Sequence, residues 1–322
     1  MTAGSKVVAL SGGIGGAKLA YGLSQVLMKD ELSIIANTGD DFEHLGLYVS
    51  PDIDTLVYTL AGVNNPQTGW GRADETWSFM SGLAEIGAPT WFQLGDKDLA
   101  LNVYRTSELR SGKTLSEVMC AIAHQFDLKC QIAPMSDDPV RTMIDTDSGP
   151  LEFQDYFVRE KCRPVVRQIR YQGIERAKPS PDFQALLGGT EVVAFVICPS
   201  NPYLSIDPII TIPGVHQGMV DSPAPVVAVS PVVAGQSLKG PTSKMMDELN
   251  TPCTAVEVAR RYQDLIDGIV IDNQDMGLKV DIEETGVQVV TADIIMNSAQ
   301  DKIDLAQTVL LFAQRLATKK RS

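Results

Sequence analysis

The feature that most constrains the fold lies near the start of the chain, where an apolar run leads through glycines into a helical pattern. Residues 6–10 (KVVAL) are apolar and partly β-branched, which predicts a strand. Residues 11–27 (SGGIGGAKLAYGLSQVL) then place leucines four residues apart, as on one face of an amphipathic helix. Residues 32–36 (LSIIA) predict a second strand. This order of strand, glycines, helix and strand predicts a parallel, Rossmann-like sheet.

The rest of the chain continues the alternation around a helical segment. Residues 55–126 are mostly helical in pattern, which predicts a helical insertion. They contain all three tryptophans, which we interpret as the core of the insertion; the alternative is that they stack on the ring of a bound ligand. Residues 130–153 contain short extended pieces whose connections are too short for crossover helices, so a hairpin or an edge extension is predicted. Further strands are predicted at residues 191–197, 225–229, 267–272 and 287–291, and a last helix at 298–316. We therefore predict an α/β fold: one Rossmann-like domain over residues 1–322, with a mostly parallel, doubly wound sheet and an insertion at about 55–126.

Composition and charge exclude several classes of protein. The 322 residues are 44% hydrophobic, enough for a sizeable core. The net charge of −13 disfavours nonspecific binding to nucleic acid or acidic membranes, so an anionic substrate must be met by local basic groups. No apolar run reaches the roughly 18 residues of a membrane span, and no signal-peptide pattern is present, so we expect a cytoplasmic protein. The five cysteines and three histidines follow neither a disulfide nor a zinc pattern.

Acidic residues are concentrated in three short segments that a solvated helix does not explain. The segments are GDD at 39–41, SPDIDT at 50–55 and LGDKD at 94–98. Carboxylates that lie close together repel each other unless a cation binds them, and Mg²⁺ takes one or two carboxylates together with water and phosphate oxygens. We predict Asp40 and Asp54 as ligands of Mg²⁺, with Asp41 or Asp52 as further candidates. The alternative is that these residues form loop turns and helix caps.

Three loops after predicted strands have the composition of an anion-binding site. The first, the glycine-rich segment, matches neither the Walker pattern nor the dinucleotide pattern, because Ala17 separates Gly16 from Lys18 and position 18 is not glycine. Its glycines still allow backbone N–H groups to approach a phosphate at the positive end of the following helix. The second loop is at residues 199–202 (PSNP), and the third runs from Ser230 to Lys244. Each of these two loops alone also fits a proline-restricted turn, but the three loops together predict a nucleotide-like ligand in one crevice. The predicted binding residues are Gly12, Gly13, Gly15, Gly16, Lys18, Ser200, Asn201, Pro202, Ser230, Gly235, Gly240 and Lys244.

Nine separated motifs resemble the 2-phospho-L-lactate transferase family of deazaflavin coenzyme biosynthesis. They are SGGIGGAKL, NTGDD, SPDIDT, GWGRADETW, LGDKDLA, PMSDDPVRT, FQDYFVRE, PSNPYLSIDPI and SPVVAGQSLKGPTSK. The motifs follow the order and spacing found in that family and extend over nearly the whole chain. Their agreement is much more specific than that of any single loop.

The resemblance implies a Mg²⁺-dependent transferase of coenzyme F(420) biosynthesis. Such enzymes move a phosphorylated three-carbon acid from a guanosine diphosphate-linked donor to the ribityl hydroxyl of 7,8-didemethyl-8-hydroxy-5-deazariboflavin and release GMP. The sequence leaves open whether the acid is phospholactate, enolpyruvyl phosphate or phosphoglycerate. Family members are typically homodimers, and the positions of Asp54 and Lys97 fall where similar proteins contact the deazaflavin. Position 97 is often Arg in related sequences, and Lys keeps the charge without the planar fork of a guanidinium.

Asp54 and Lys97 are therefore the predicted catalytic residues, with Asp54 as either metal ligand or proton acceptor and Lys97 as a supplementary cation. We expect the Asp54→Asn substitution to leave folding intact and to abolish GMP release. Two alternatives remain at this point. A sugar-nucleotide-binding regulatory protein of the related gluconeogenesis-factor type would bind nucleotide without consuming it. An NAD(P) oxidoreductase is disfavoured by the imperfect glycine pattern.

Overall fold

The computed structural model describes residues 4–238 and 240–320, and a seven-stranded sheet forms its centre. The strands of this sheet are β1 (Lys6–Ser11), β2 (Leu32–Ala36), β5 (Gln131–Pro134), β9 (Val192–Ile197), β10 (Val226–Val229), β13 (Gly268–Asp272) and β14 (Gln288–Ala292). Their order across the sheet is β14-β13-β10-β9-β1-β2-β5, and every neighbouring pair is parallel. The predicted parallel sheet is confirmed.

Among the described residues, three small antiparallel sheets lie outside the central one. One pairs β3 (Phe42–His44) with β4 (Leu47–Val49), and another pairs β11 (Val232–Val233) with β12 (Gln236–Ser237). The third contains β6 (Arg141–Thr146) between β7 (Gly149–Glu152) and β8 (Val166–Gln172). The hairpin predicted after residue 130 is thus present in β6 and β7.

Helices connect and cover the strands. They are α1 (Gly13–Val26), α2 (Pro51–Leu60), α3 (Ser78–Glu85), α4 (Asp96–Arg110), α5 (Leu115–Gln125), α6 (Pro181–Leu187), α7 (Asp207–Ile210), α8 (Val215–Asp221), α9 (Thr242–Glu248), α10 (Ala255–Tyr262), α11 (Lys279–Glu283) and α12 (Ala299–Lys320). Short π-helical segments lie at Asp155–Arg159 and Pro202–Ile206, and a 3₁₀ helix lies at Asn273–Leu278. No helix in the described part of the chain is long and apolar enough to cross a membrane.

The strand order places a crevice between β1 and β9. From β1 the chain first builds outward through β2 to β5, and then returns to β9 on the other side of β1 before continuing to β14. The connections after β1 and β9 therefore leave the sheet in opposite directions. In open parallel sheets, ligands bind outside the carboxyl ends of the strands at this reversal.

Both faces of the sheet are buried, as the apolar strand sequences predict. Val8 and Leu10 of β1 lie in one core cluster, which also contains Phe183 of α6. Val7 and Ala9 of the same strand lie in the other, which contains residues of α1, α2 and α12. Helices on both faces make the sheet doubly wound, which confirms the predicted fold class.

Two details differ from the sequence-based expectation. Helix α1 begins at Gly13, so most of the expected glycine loop is the first turn of a helix. β5 lies parallel at the edge of the central sheet, because α5 precedes it and provides the crossover.

Residues 55–126 contain most of α2 and all of α3, α4 and α5. Their status as an insertion in a single domain stays a prediction.

Candidate functional site

A cavity of about 670 Å³ lies at the carboxyl ends of the central strands. Its wall includes Gly12 directly after β1, Ser200 after β9 and Pro231 after β10. The segment 294–297 after β14 contributes a further part of the wall. The cavity therefore occupies the crevice that the strand order creates, and its size is typical of small-molecule sites.

The first wall of the cavity is formed where the segments after β1 and β9 touch. The Gly12 N–H donates to the Ser200 hydroxyl at 3.2 Å, and that hydroxyl donates to the Gly12 carbonyl at 2.8 Å. A Cβ at Gly15 would overlap the carbonyl oxygen of Pro199, and a Cβ at Gly12 would overlap the Asp52 carboxylate. These glycines are needed because two backbone segments and an acidic side chain meet without room for a side chain.

Asp52 binds the amino-terminal end of helix α1. The Gly13 N–H donates to Asp52 Oδ1 at 2.6 Å, with Gly13 at a φ of +62°. The amide nitrogen Nδ2 of Asn37 donates to Asp52 Oδ2 at 2.9 Å and to Asp40 Oδ1 at 3.2 Å. The carboxylate of Asp52 thus accepts the Gly13 N–H that was predicted to bind phosphate. The side-chain amide of Asn37 holds the carboxylates of Asp40 and Asp52 close together.

The two carboxylates lie in a setting that disfavours their charge. Burial and then repulsion from Asp52 and Asp41 raise the pKa of Asp40 well above its usual range. Burial raises the pKa of Asp52 to about 6, against the hydrogen bonds from Asn37 and Gly13. Desolvation and like charges both penalise the ionised forms. A cation bound between Asp40 and Asp52 would relieve that penalty.

The carboxylates of Asp40 and Asp52 fit a magnesium site in which the protein supplies only two ligands. Asp40 and Asp52 both line the cavity. In the ranges 4–238 and 240–320, no three His, Cys, Asp or Glu side chains form a metal-binding group. Mg²⁺ needs only one or two carboxylates when waters and phosphate oxygens complete its shell. Asp41 does not line the cavity; it accepts a hydrogen bond from the Ser50 hydroxyl at 2.9 Å.

Asp54 lies in the cavity wall, but its carboxylate forms an ion pair with Arg105. Nη1 of Arg105 donates to Asp54 Oδ2 at 3.2 Å, and Nη2 donates to Asp54 Oδ1. Arg105 is completely buried on α4 and also donates to Asn102 Oδ1 at 2.9 Å. Burial raises the pKa of Asp54, and the neighbouring guanidinium opposes that shift. Asp54→Asn would leave a buried guanidinium without its counterion, so the expectation of intact folding no longer stands.

The structure brings together nine of the candidate residues and separates six others from the cavity. Those that line it are Gly12, Gly13, Gly15, Lys18, Asp40, Asp54, Ser200, Asn201 and Gly240. Gly16, Lys97, Pro202, Ser230, Gly235 and Lys244 do not line it. The role of each of these residues in binding or catalysis stays a prediction.

The candidates outside the cavity have other contacts. Lys97 is exposed in the first turn of α4, and its Nζ donates to the Ala73 carbonyl at 3.2 Å. Nζ of Lys244 donates to Glu248 Oε1 at 2.6 Å and to the Pro164 carbonyl at 3.0 Å. The hydroxyl of Ser230 is buried and bonds the backbone of Val232 at 2.9 and 3.1 Å.

Lys18 supplies positive charge to the cavity wall. Its Nζ donates to the Met296 carbonyl at 2.7 Å, which ties the first turns of α1 to the segment before α12. The sequence did not indicate the segment 294–297, because it has no glycine, charge or motif of a binding loop. The packing of α12 along α1 and the hydrogen bond from Lys18 hold this segment at the cavity.

The mouth of the cavity is apolar and partly exposed. Trp70 is 47% exposed, and Phe157 and Leu238 are each 39% exposed, although all three line the cavity. Phe153 and Phe157 stack with ring centroids 5.4 Å apart and an interplanar angle of 15°. The interpretation of all three tryptophans as core is thus wrong for Trp70, and it is also wrong for Trp77, which is 45% exposed. The mouth offers flat apolar surfaces suited to a planar ring system.

Four residues at or beside the site were missed or left without a role. Asn37 lies in the motif NTGDD and Gln154 in the motif FQDYFVRE, and neither was assigned a role. The side-chain amide of Gln154 donates a weak hydrogen bond to Asp40 Oδ2 at 3.5 Å. Asp98 lines the cavity directly after the exposed Lys97. A buried Arg105 cannot be read from a helix as polar as α4, because charged residues in such a helix ordinarily face solvent.

Comparison with known families gives a match to most of the chain. The sequence profile described as "2-phospho-L-lactate transferase CofD" matches residues 7–311. A protein named phosphoenolpyruvate transferase from Kitasatospora aureofaciens is 36% identical over 318 residues, covering 97% of this chain and 98% of its own. A protein named 2-phospho-L-lactate transferase from Methanopyrus kandleri is 37% identical over 315 residues, with 97% and 98% covered.

Solved structures add support for the fold alone. A Bacillus halodurans protein described as a member of the UPF0052 family has a TM-score of 0.63 and 13% identity, and the match covers 95% of this chain and 98% of that one. At that identity the likeness carries no statement about activity.

Proposed function

The chain belongs to the 2-phospho-L-lactate transferase CofD family, and on that premise we propose that it joins a phosphorylated three-carbon acid to a deazaflavin alcohol. Membership makes it a transferase of coenzyme F(420) biosynthesis. The proposed donor is the acid linked to guanosine diphosphate, the acceptor is 7,8-didemethyl-8-hydroxy-5-deazariboflavin, and GMP is the leaving group. We also propose a homodimer that requires Mg²⁺. The relatives' names include both a phosphoenolpyruvate and a 2-phospho-L-lactate transferase, so the proposal leaves the acid open.

The observation that carries the proposal is the single cavity in which three chemical surfaces meet. The carboxylates of Asp40 and Asp52 form its acidic floor, Lys18 and the glycines of α1 form one wall, and an apolar mouth lies at Trp70 and Phe157. A diphosphate, a cation and a planar aromatic acceptor each find a matching surface there. Their common location supports a reaction between a nucleotide and a ring-bearing alcohol.

Transfer at phosphorus requires positioning and charge neutralisation more than covalent chemistry from the protein. Asp40 and Asp52 would hold Mg²⁺, which would neutralise charge on the diphosphate oxygens. Lys18 lies on the cavity wall, where its ammonium favours negative charge on the same group. Asp54, ion-paired to Arg105, fixes the end of α2 that carries Asp52. Its predicted role as a contact of the acceptor remains part of the proposal.

The sugar-nucleotide-binding regulator is not favoured as an alternative. The relatives that match this chain over 97% of its length are named as transferases. The UPF0052 likeness lies at the level of fold.

The experiment that tests the proposal is an assay with a panel of donors. The protein is incubated with Mg²⁺, the deazaflavin and one guanosine diphosphate-linked donor carrying phospholactate, enolpyruvyl phosphate or phosphoglycerate. Mass spectrometry of the deazaflavin product identifies the acid. We expect a phosphodiester of the deazaflavin from at least one donor and none when the deazaflavin is omitted. Absence of product from all three donors would contradict the proposed function.

A further inference from the structure

Asp98 lies in the cavity wall, and its contacts leave one oxygen of its carboxylate without a hydrogen bond from the described residues. It lies in the first turn of α4 and lines the cavity. Its backbone N–H donates to Glu75 Oε1 at 2.8 Å, and its Oδ1 accepts a hydrogen bond from the Tyr58 hydroxyl at 2.7 Å. Oδ2 of Asp98 has no hydrogen-bond partner within the described residues. The hydrogen bond from Tyr58 therefore orients Oδ1, and Oδ2 is available to accept a hydrogen bond from a ligand.

The other carboxylates of the cavity are less suited to accept a proton. Both oxygens of Asp54 are bound by Arg105, so protonation of Asp54 would break a buried ion pair. Asp40 and Asp52 share the Asn37 amide and are the proposed metal ligands. A cation holds a carboxylate in its ionised form and so lowers its basicity. Among the four Asp residues that line the cavity, only Asp98 remains for proton transfer.

We propose that Asp98 is the catalytic base that accepts the proton of the attacking ribityl hydroxyl, an inference that rests on the proposed function. The hydroxyl O–H bond breaks, and its proton moves to Asp98 Oδ2. The alcohol oxygen forms a bond to the phosphorus that carries the three-carbon acid. The bond from that phosphorus to the GMP phosphate oxygen breaks, and its electrons leave with GMP. Asp98 then releases the proton to solvent.

The surroundings of Asp98 give it the basicity that this role needs. Burial, and then repulsion from Asp54, raise its pKa to about 7, and Glu75 adds a smaller effect in the same direction. The hydrogen bond from Tyr58 and the charge of Arg105 oppose the rise. A base with a pKa near the operating pH is partly ionised and still accepts a proton readily. Activity that depends on ionised Asp98 is lost as the pH falls below that value.

The first test is Asp98→Asn, with Asp127→Asn as the matched control. Asp127 is exposed and lies outside the cavity. We expect Asp98→Asn to lower kcat by about 10²- to 10⁴-fold, the typical contribution of a general base. Its Kd values for the donor with Mg²⁺ and for the deazaflavin should stay within about threefold of wild type. Asp127→Asn should match wild type throughout. A kcat of Asp98→Asn within a fewfold of wild type would overturn the inference.

The second test does not depend on the folding of the Asp98 variant. Tyr58→Phe removes the hydrogen bond that lowers the pKa of Asp98, so the acidic limb of the kcat/KM profile should move to higher pH. Tyr104→Phe, at an exposed position of α4, the helix that contains Asp98, should leave the limb in place. An unmoved limb in Tyr58→Phe would count against Asp98. If wild type itself forms no deazaflavin product, the proposed function fails, and the inference fails with it.

Discussion

Both carboxylate oxygens of Asp54 accept hydrogen bonds from the guanidinium of Arg105, a side chain with no exposed surface. The pair joins the first turn of α2 to the middle of α4. Removal of one partner leaves the other as an uncompensated buried charge, which is far more destabilising than the pair is stabilising. The pair therefore fixes the geometry of the acidic floor.

Arg105→Met tests this relationship. We expect it to lower the free energy of unfolding at pH 7 by about 3–5 kcal/mol, measured by urea denaturation. Without Arg105 the pKa of Asp54 rises further, so the loss relative to wild type should grow as the pH rises. Arg110→Met, at an exposed position of the same helix, should change stability by less than about 0.5 kcal/mol. A loss below about 1 kcal/mol in Arg105→Met would contradict the account.

Magnesium should stabilise the protein, and more so at alkaline than at acidic pH. Ionised Asp40 and Asp52 bind the cation. Protons compete with it at Asp52 below about pH 6, and they also compete at Asp40, whose pKa burial raises well above its usual range. At 100 times Kd the expected gain is about 2.7 kcal/mol. Thermal unfolding at pH 5 and pH 8, with MgCl₂ or with EDTA, measures this stabilisation by Mg²⁺. Asp52→Asn should lose the stabilisation at pH 8, and Asp127→Asn should keep it. Equal gains in both variants would place the ion elsewhere.

The close approach behind Gly15 should make this helical glycine intolerant of a side chain. In Gly15→Ala the new Cβ would overlap the Pro199 carbonyl, so the segments after β1 and β9 must separate. We expect a loss of about 1–3 kcal/mol in stability together with weaker donor binding. In Gly82→Ala, in α3, the Cβ meets nothing within 4 Å, so stability should hold or rise by up to about 1 kcal/mol. Equal effects of the two changes would refute the packing argument.

Lys97 should affect binding of the acceptor and leave binding of the donor unchanged. Its ammonium lies on a flexible, exposed stem, so it can turn from the Ala73 carbonyl toward a bound ligand. We expect Lys97→Ala to raise the KM for the deazaflavin and to leave donor affinity unchanged. Lys113→Ala, which removes an exposed partner of Glu108, is the control. An unchanged deazaflavin KM in Lys97→Ala would remove this residue from the site.

The sheet could be predicted because strands buried on both faces are continuous apolar runs. Residues 6–10 and 32–36 lie in β1 and β2. The edge position of β5 could not be read in the same way, because a four-residue strand after a helix carries too short a pattern. The reversal between β1 and β9 depends on long-range pairing, which local sequence does not encode.

The sequence located acidic residues and loop residues that line one cavity, but not the contacts among them. Asp52 and Asp54 stand two residues apart in the first turn of α2, so their side chains point to different sides of the helix. Sequence identified the acidic turn but not which residue turns toward Asp40. That choice is decided by Asn37, which binds Asp52, and by Arg105, which binds Asp54. Both contacts cross between separate elements.

The most direct test of the central claim, that this cavity transfers a phospho-acid from a guanosine nucleotide to a deazaflavin, is the ratio of GMP released to deazaflavin phosphodiester formed. We predict one GMP for each product molecule in Mg²⁺, and neither compound when the deazaflavin is omitted or EDTA is added. GMP release that continues without the deazaflavin, or product formation at full rate in EDTA, would contradict the account.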